Sequence, residues 1–179
     1  MFGSEFDFIL HHFPPMNIAL LSDTHGHIDD RILRHVEGVD EVWHAGDIGD
    51  LSVTDALSEV TTCRAVYGNI DNHHIRATWP EHDRFEVGGL DVWMTHIGGR
   101  PPKYSKGVLP QLENHRPDIF VCGHSHILLV QRVASWGGLH MNPGAVGNSG
   151  FHKVCTMLKF SISNGDIENL RVIEWSRTR

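Results

Sequence analysis

An α/β fold, an αββα sandwich of two mixed β-sheets flanked by helices, is what this 179-residue sequence predicts. Three observations carry that expectation. From Met16 onward short apolar runs alternate with amphipathic stretches, the rhythm of parallel strands joined by helices. From Arg84 the rhythm changes to strand pairs joined by glycine-rich turns, the pattern of antiparallel hairpins. A composition of 40% hydrophobic and 21% charged residues suits one compact domain with a substantial core.

Each element has its own signal. Asn17 to Leu21, Glu41 to His44 and Arg64 to Val66 read as buried strands. Between them, Asp29 to Glu37 is a helix with Ile32, Leu33 and Val36 on one face, and Leu51 to Val60 a helix with Val53, Ala56, Leu57 and Val60 on one face. Arg84 to Val87 and Leu90 to Thr95 form a hairpin, because Gly88-Gly89 supplies the positive φ angles of a two-residue turn. A helix is expected near Leu109 to His115 and a strand over Asp118 to Cys122. Leu128 to Val133 and Leu139 to Asn142 pair across Trp136-Gly137-Gly138. Val154 to Ser161 and Ile167 to Ile173 pair across Asn164-Gly165. No repeat or low-complexity linker interrupts residues 16–179, which are expected to form a single domain.

The formal net charge of -7 argues against a broad nucleic-acid surface. Cys63, Cys122 and Cys155 show no CxxC spacing, so buried free thiols in a reducing, cytoplasmic compartment are expected. No run of about 20 apolar residues predicts a membrane span. Residues 1–15 are set aside as an N-terminal extension. Glu5 and Asp7 stand where the basic region of a signal peptide would be, Gly3-Ser4-Glu5-Phe6 reads like the translation of two adjacent cloning sites, and Met16 is a candidate start. The rival reading is a genuine arm that packs Phe2, Phe6, Phe8 and Phe13 on a partner.

Five predicted strands end in polar clusters: Ser22-Asp23-Thr24-His25, Gly46-Asp47, Gly68-Asn69, His96, and Gly123-His124-Ser125-His126. Sites in such sheets assemble at carboxyl ends of strands. Each cluster alone is a common turn sequence, but five in one structural position are hard to attribute to turns. Together they offer two carboxylates, one amide and four imidazoles with no thiolate, a donor set for borderline divalent ions. Seven donors overfill one four-coordinate site. One shared carboxylate would give each of two ions four protein ligands and room for water. Gly46, Gly68 and Gly123 allow sharp turns and close backbone approach.

The ordered pattern D-x-H, G-D, G-N, H and G-H-x-H resembles that of the calcineurin-like metallophosphoesterases over nearly the whole chain from Met16. The short length, Gly68-Asn69-Ile70-Asp71 and Asn142-Pro143-Gly144 are similar to its small bacterial and archaeal phosphodiesterase branch. The resemblance implies Asp23, His25, Asp47 and His126 on one metal, and Asp47, Asn69, His96 and His124 on the other, with Asp47 as the bridge. Asp47, Asn69 and His96 are taken as catalytic as well as metal-binding. The implied cofactors are two divalent ions per chain, manganese first, with iron, zinc, nickel or cobalt as options. The implied activity is hydrolysis of a phosphodiester, a metal-bridging hydroxide attacking phosphorus in line.

His44 is expected to orient a ligand or to be a satisfied core histidine. Asp71 and Arg100 are candidates for substrate or supporting contacts, Arg100 as a phosphate fork. Thr24 and Ser125 could bond neighbouring backbone. His73 and His74 are read first as surface residues, and His35, His82, His115 and His140 receive no role. Trp43, Trp93 and Trp136 are expected to pack against the sheets. In the wider superfamily a histidine follows the Gly-Asn pair, and here Ile70 stands in its place, so a leaving-group acid is missing. The partner expected is a small phosphate ester, with homo-oligomerisation open. The alternative of another class is a non-enzymatic, metal-bearing interaction scaffold resembling a retromer subunit. Degraded ligands would favour it, and all seven positions hold competent donors.

Overall fold

A computed structural model describes residues 14–177. The aromatic arm suggested for Phe2, Phe6, Phe8 and Phe13 lies outside the described residues.

Strand β1 (Met16–Leu21) opens the first sheet, and its side chains alternate in destination. Ile18 and Leu20 enter the core between the sheets, whereas Ala19 and Leu21 join the core beneath the helices, the period-two division that a strand buried on both faces requires. Helix α1 (Asp30–Val36) starts where the Asp29 carboxylate caps the Ile32 amide, and it buries Ile32 and Val36. Strand β2 (Glu41–His44) lies parallel to β1. Helix α2 (Leu51–Val60), capped by Asp50, buries Val53 and Leu57. Strand β3 (Thr62–Ala65) runs parallel to β2. Burying each Val, Leu or Ile is worth about 1.5–3 kcal/mol, so these short elements are held by tertiary packing more than by propensity.

The next element was not expected. Helix α3 (His73–Thr78) is six residues long, and the Asn72 side chain accepts from the amides of His74 and Ile75. Strands β4 (His82–Val87) and β5 (Leu90–Thr95) form the predicted Gly88-Gly89 hairpin. A miniature pair, β6 (Gly99–Arg100) and β7 (Lys103–Tyr104), precedes α4 (Val108–His115). Strand β8 (Ile119–Val121) lies parallel to β5. Strands β9 (Leu129–Arg132) and β10 (Leu139–Asn142) pair antiparallel, as do β11 (Val154–Ser163) and β12 (Asp166–Ser176).

Two five-stranded mixed sheets result, in the orders β12-β11-β1-β2-β3 and β4-β5-β8-β10-β9. Ile18, Leu20 and Trp43 from one meet Val92, Met94, Ile119 and Val121 from the other. Ile32, Val36, Val53 and Leu57 cover the outer face of the first sheet, while Val108 and Leu112 cover Trp93 and Phe120 on the second. The layers are helix, sheet, sheet, helix. Trp43, Trp93 and Trp136 are all buried, as expected. The three cysteines are free, with Cys122 and Cys155 buried. Among the described residues no helix is long and apolar enough to cross a membrane.

Candidate metal centre

Beyond the ends of β1 and β2 the two loops continue side by side. The amides of Asp23, His25 and Gly26 donate to the carbonyls of Gly46, Asp47 and Ile48 at 2.9, 3.0 and 2.7 Å. Within this frame Asp23, His25 and Asp47 take φ angles of 57°, 51° and 54°, and His124 and His126 take 67° and 56°. Each such left-handed residue other than glycine costs about 1–2 kcal/mol, and this strain persists only where the surroundings over-determine it. It falls on five of the seven predicted ligands.

The side chains gather in two groups: Asp23, His25 and His126, and Asp47, His96 and His124, with the ligating atoms of each within 4.8 Å of one another. Asp23 Oδ2 accepts from Ser22 Oγ at 2.7 Å and from the His124 amide at 3.1 Å. Its Oδ1 is buried, lies 3.1 Å from His126 Nε2, and has no hydrogen-bond partner. Asp47 Oδ1 accepts from the Ile70 amide at 3.1 Å and lies 3.2 Å from His96 Nε2, while Oδ2 lies 3.9 Å from His25 Nε2. His96 Nδ1–H donates to the Ala45 carbonyl at 2.8 Å, and its buried Nε2 also lacks a hydrogen-bond partner. Orphaned buried polar atoms are rare without a reason. A carboxylate oxygen and an imidazole nitrogen left free, in a cluster of further carboxylates and imidazoles, fit divalent cations.

Electrostatics agree. Burial opposes the charge on Asp47, but the adjacent His96 imidazole, the Ile70 amide and His25 outweigh it and hold the carboxyl below its ordinary range. Burial also works against charge on His96, yet Asp47, Asp23 and the Ala45 carbonyl together raise its pKa. The same negative potential that retains that proton favours a cation in its place. Asn69 is exposed beside this cluster and shares with His96 the wall of a cleft of about 450 Å³, which continues past Tyr67, Glu81, His82 and Lys106.

Other side chains hold the loops in place. His44 is fully buried, its Nδ1 accepts from the Gly46 amide at 3.2 Å, and its Nε2–H is therefore free to donate to Thr24 Oγ1 at 2.8 Å. Thr24 in turn donates to the Ile48 carbonyl at 2.9 Å. His44 thus ties together, with Thr24, the loops that carry Asp23 and Asp47. Burial lowers its pKa to about 4, so it is neutral. Asp71 is buried, accepting from the amides of Ile48, Gly49 and Gly68 at 3.1, 2.7 and 2.7 Å. Arg76 donates to the carbonyls of Asp71, Gly68 and Asn69. Gly68 is required because a Cβ there would collide with Asp47 Oδ1 and the Asp47 backbone. The closest approach is therefore to the Asp47 carboxylate.

Arg100 is exposed in β6 and makes no ion pair among the described residues. It lines a cavity of about 120 Å³ with Ser125, Ile127 and His140. Ser125 Oγ accepts from the Ile127 amide at 3.3 Å and the Asn142 side chain at 3.1 Å. His73 and His74 are exposed on α3. Sequence reasoning missed Ser22, Arg76 and Asn142, the last bonding Gly123 and Ser125 from within the Asn-Pro-Gly turn. Ser22 and Asn142 carried signals, the strand-end cluster and that turn, and Arg76 carried none.

Residues 16–165 match the sequence model of the calcineurin-like phosphoesterase superfamily domain. A probable metallophosphoesterase of Methanocaldococcus jannaschii is 24% identical over 136 residues, 73% of this chain and 68% of that protein. A novel archaeal phosphodiesterase superposes with a TM-score of 0.67 at 22% identity, covering 89% of this chain and 100% of that one. Vps29 of Entamoeba histolytica, solved in complex with zinc, gives a TM-score of 0.65 at 16% identity over 89% of this chain and 99% of the other.

Proposed function

The chain belongs to the calcineurin-like phosphoesterase superfamily, and on that premise we propose that it is a dinuclear-metal phosphodiesterase acting on a small phosphate ester. The observation that carries this is the pair of groups, Asp23, His25 and His126 beside Asp47, His96 and His124, with Asp23 Oδ1 and His96 Nε2 buried and free. Asp47 would serve both ions, and Asn69 would complete the second set. Manganese is the first choice, with iron, zinc, nickel or cobalt compatible with the same donors. Two such ions, when bound, supply Lewis acidity that lowers the pKa of water and draws charge from phosphoryl oxygens.

The chain's own residues orient and exclude. Ser22 and the His124 amide fix the Asp23 carboxylate, and Ile70 fixes Asp47, so both are pre-set before substrate arrives. The hydroxyls and thiol nearest Asp23 are not poised as nucleophiles. The hydroxyls of Ser22 and Thr24 are engaged in hydrogen bonds, and burial pushes the Cys122 thiol up to about 12. The cleft beyond Asn69 and His96 accommodates an ester arm, with Lys106 and the exposed Asn69 amide as donors to oxygen. The Ile70 side chain is exposed and cannot donate a proton.

The test is a hydrolysis screen of phosphate mono- and diesters on protein reloaded with manganese, alongside elemental analysis. Two ions per chain and preferential diester hydrolysis are expected. One ion per chain, or no ester hydrolysed, overturns the proposal. A second reading, an interaction scaffold, is favoured by exposed apolar residues that directly follow three of the proposed ligand positions in the chain: Ile70, Ile97 and Ile127. Full metal loading without hydrolysis of any ester would point to it.

A further inference from the structure

Beside His126 stands a histidine that no motif singles out. His152 Nε2 lies 3.1 Å from the Gly147 carbonyl, and its Nδ1 lies 3.3 Å from His126 Nδ1. A carbonyl oxygen cannot donate, so the hydrogen in the first contact belongs to His152 Nε2. A neutral imidazole carries one such hydrogen, and His152 Nδ1 is therefore an acceptor. The hydrogen between the two Nδ1 atoms then sits on His126. His126 Nε2, 3.1 Å from Asp23 Oδ1 and 3.4 Å from His25 Nε2, is left with its lone pair facing the centre.

We propose that His152 is a positioning residue that locks His126 in its Nδ1–H tautomer and so presents His126 Nε2 to a divalent cation. This rests on the assignment of His126 as a metal ligand. The local backbone is shaped for the contact. A Cβ on Gly150 would stand 2.7 Å from His126 Nδ1 and 3.2 Å from His152 Nδ1, so only glycine lets the rings meet. Arg177, just past β12, donates to the carbonyls of Gly150 and His152 at 2.6 and 3.0 Å, and its amide donates to Lys153 at 3.1 Å. The end of one sheet thus pins the turn that carries His152. His96 receives the equivalent service from the Ala45 carbonyl, and acceptors behind ligating imidazoles of this kind set both ring orientation and tautomer.

The experiment compares wild type, His152→Leu and His152→Asn. Nitrogen NMR of the imidazoles in metal-free protein reads the tautomer, and calorimetric titration with manganese reads affinity. Wild type should show hydrogen on His126 Nδ1. His152→Leu should lose that preference and bind one of its two ions about 10–100-fold more weakly, with the melting of the metal-free protein unchanged. His152→Asn, whose amide oxygen can take the His126 hydrogen, should recover most of the affinity. Hydrogen on His126 Nε2 in wild type would overturn the proposal. So would equal binding by the two variants, which would reduce His152 to loop packing. Wild type that shows the expected tautomer yet binds no manganese overturns the assignment of the centre, and the metal-free spectrum separates that failure from a wrong tautomer.

Discussion

Replacing Asp71 tests how the centre is held open. Its carboxylate is only 4% exposed and accepts three backbone amides, of which those of Ile48 and Gly68 belong to buried residues. Asp71→Ala leaves those two donors without a partner, at about 1–3 kcal/mol each, so a loss of about 2–6 kcal/mol is expected. Water entering the vacated space would bring the cost toward the lower end. A domain of this size holds about 5–15 kcal/mol in total, so the variant should remain folded but weakened. Because the carboxylate ties the Asp47 loop to the Gly68-Asn69 loop, metal affinity should fall with stability. The assay is urea unfolding of metal-free protein at pH 7, with Asp71→Asn in parallel. One amide oxygen cannot replace both carboxylate oxygens, so Asp71→Asn should fall between wild type and Asp71→Ala. An Asp71→Ala midpoint equal to wild type at unchanged slope would refute the view that Asp71 braces these loops.

Three further outcomes are expected. Rates for substituted aryl phosphodiesters should fall steeply as leaving-group pKa rises, because Ile70 gives no general acid, a group typically worth about 10²–10⁴-fold; a flat dependence with chemistry rate-limiting would mean that another residue supplies the proton. His44 and His140 are buried with pKa values lowered by burial from 6.5 to about 4. Their contribution is therefore fully present above pH 6.5 and is lost as pH falls toward 4, by up to about 3 kcal/mol each. Unfolding free energies measured between those limits should decline less steeply in His140→Leu, and an unchanged slope would contradict the assignment. Gly68→Ala should displace Asp47 Oδ1 and lower manganese stoichiometry or affinity in calorimetry, and wild-type titration curves would show that the loop can give way.

Much of the fold was legible because its signals are local. The alternation of Ile18 and Leu20 with Ala19 and Leu21, the Gly88-Gly89 turn and the strand-end clusters each depend on a few neighbouring residues. Helix α3 was not legible, since six residues with one buried position, Ile75, offer no period. Asp71 could be read from sequence as a residue for substrate or for supporting contacts, and its three amide partners lie in loops that sequence spacing cannot align. His152 was invisible for the same reason, being 26 residues from His126.

Strain and support in the centre belong together. Ligand backbones at positive φ are costly alone, and they are paid for by contacts that residue type does not announce: His44 through Thr24, Asp71 through three amides, Ser22 through Asp23. A ligand list read from sequence therefore names the atoms that face a cation but not what keeps them apart when none is bound. With Asp23 Oδ2 and His96 Nδ1 already committed to protein partners, Oδ1 and Nε2 are the atoms left over. Preorganisation of this kind shifts the cost of gathering these carboxylates and imidazoles from the binding step to folding. Variants of Ser22, His44 and Asp71 should consequently weaken stability and metal affinity together.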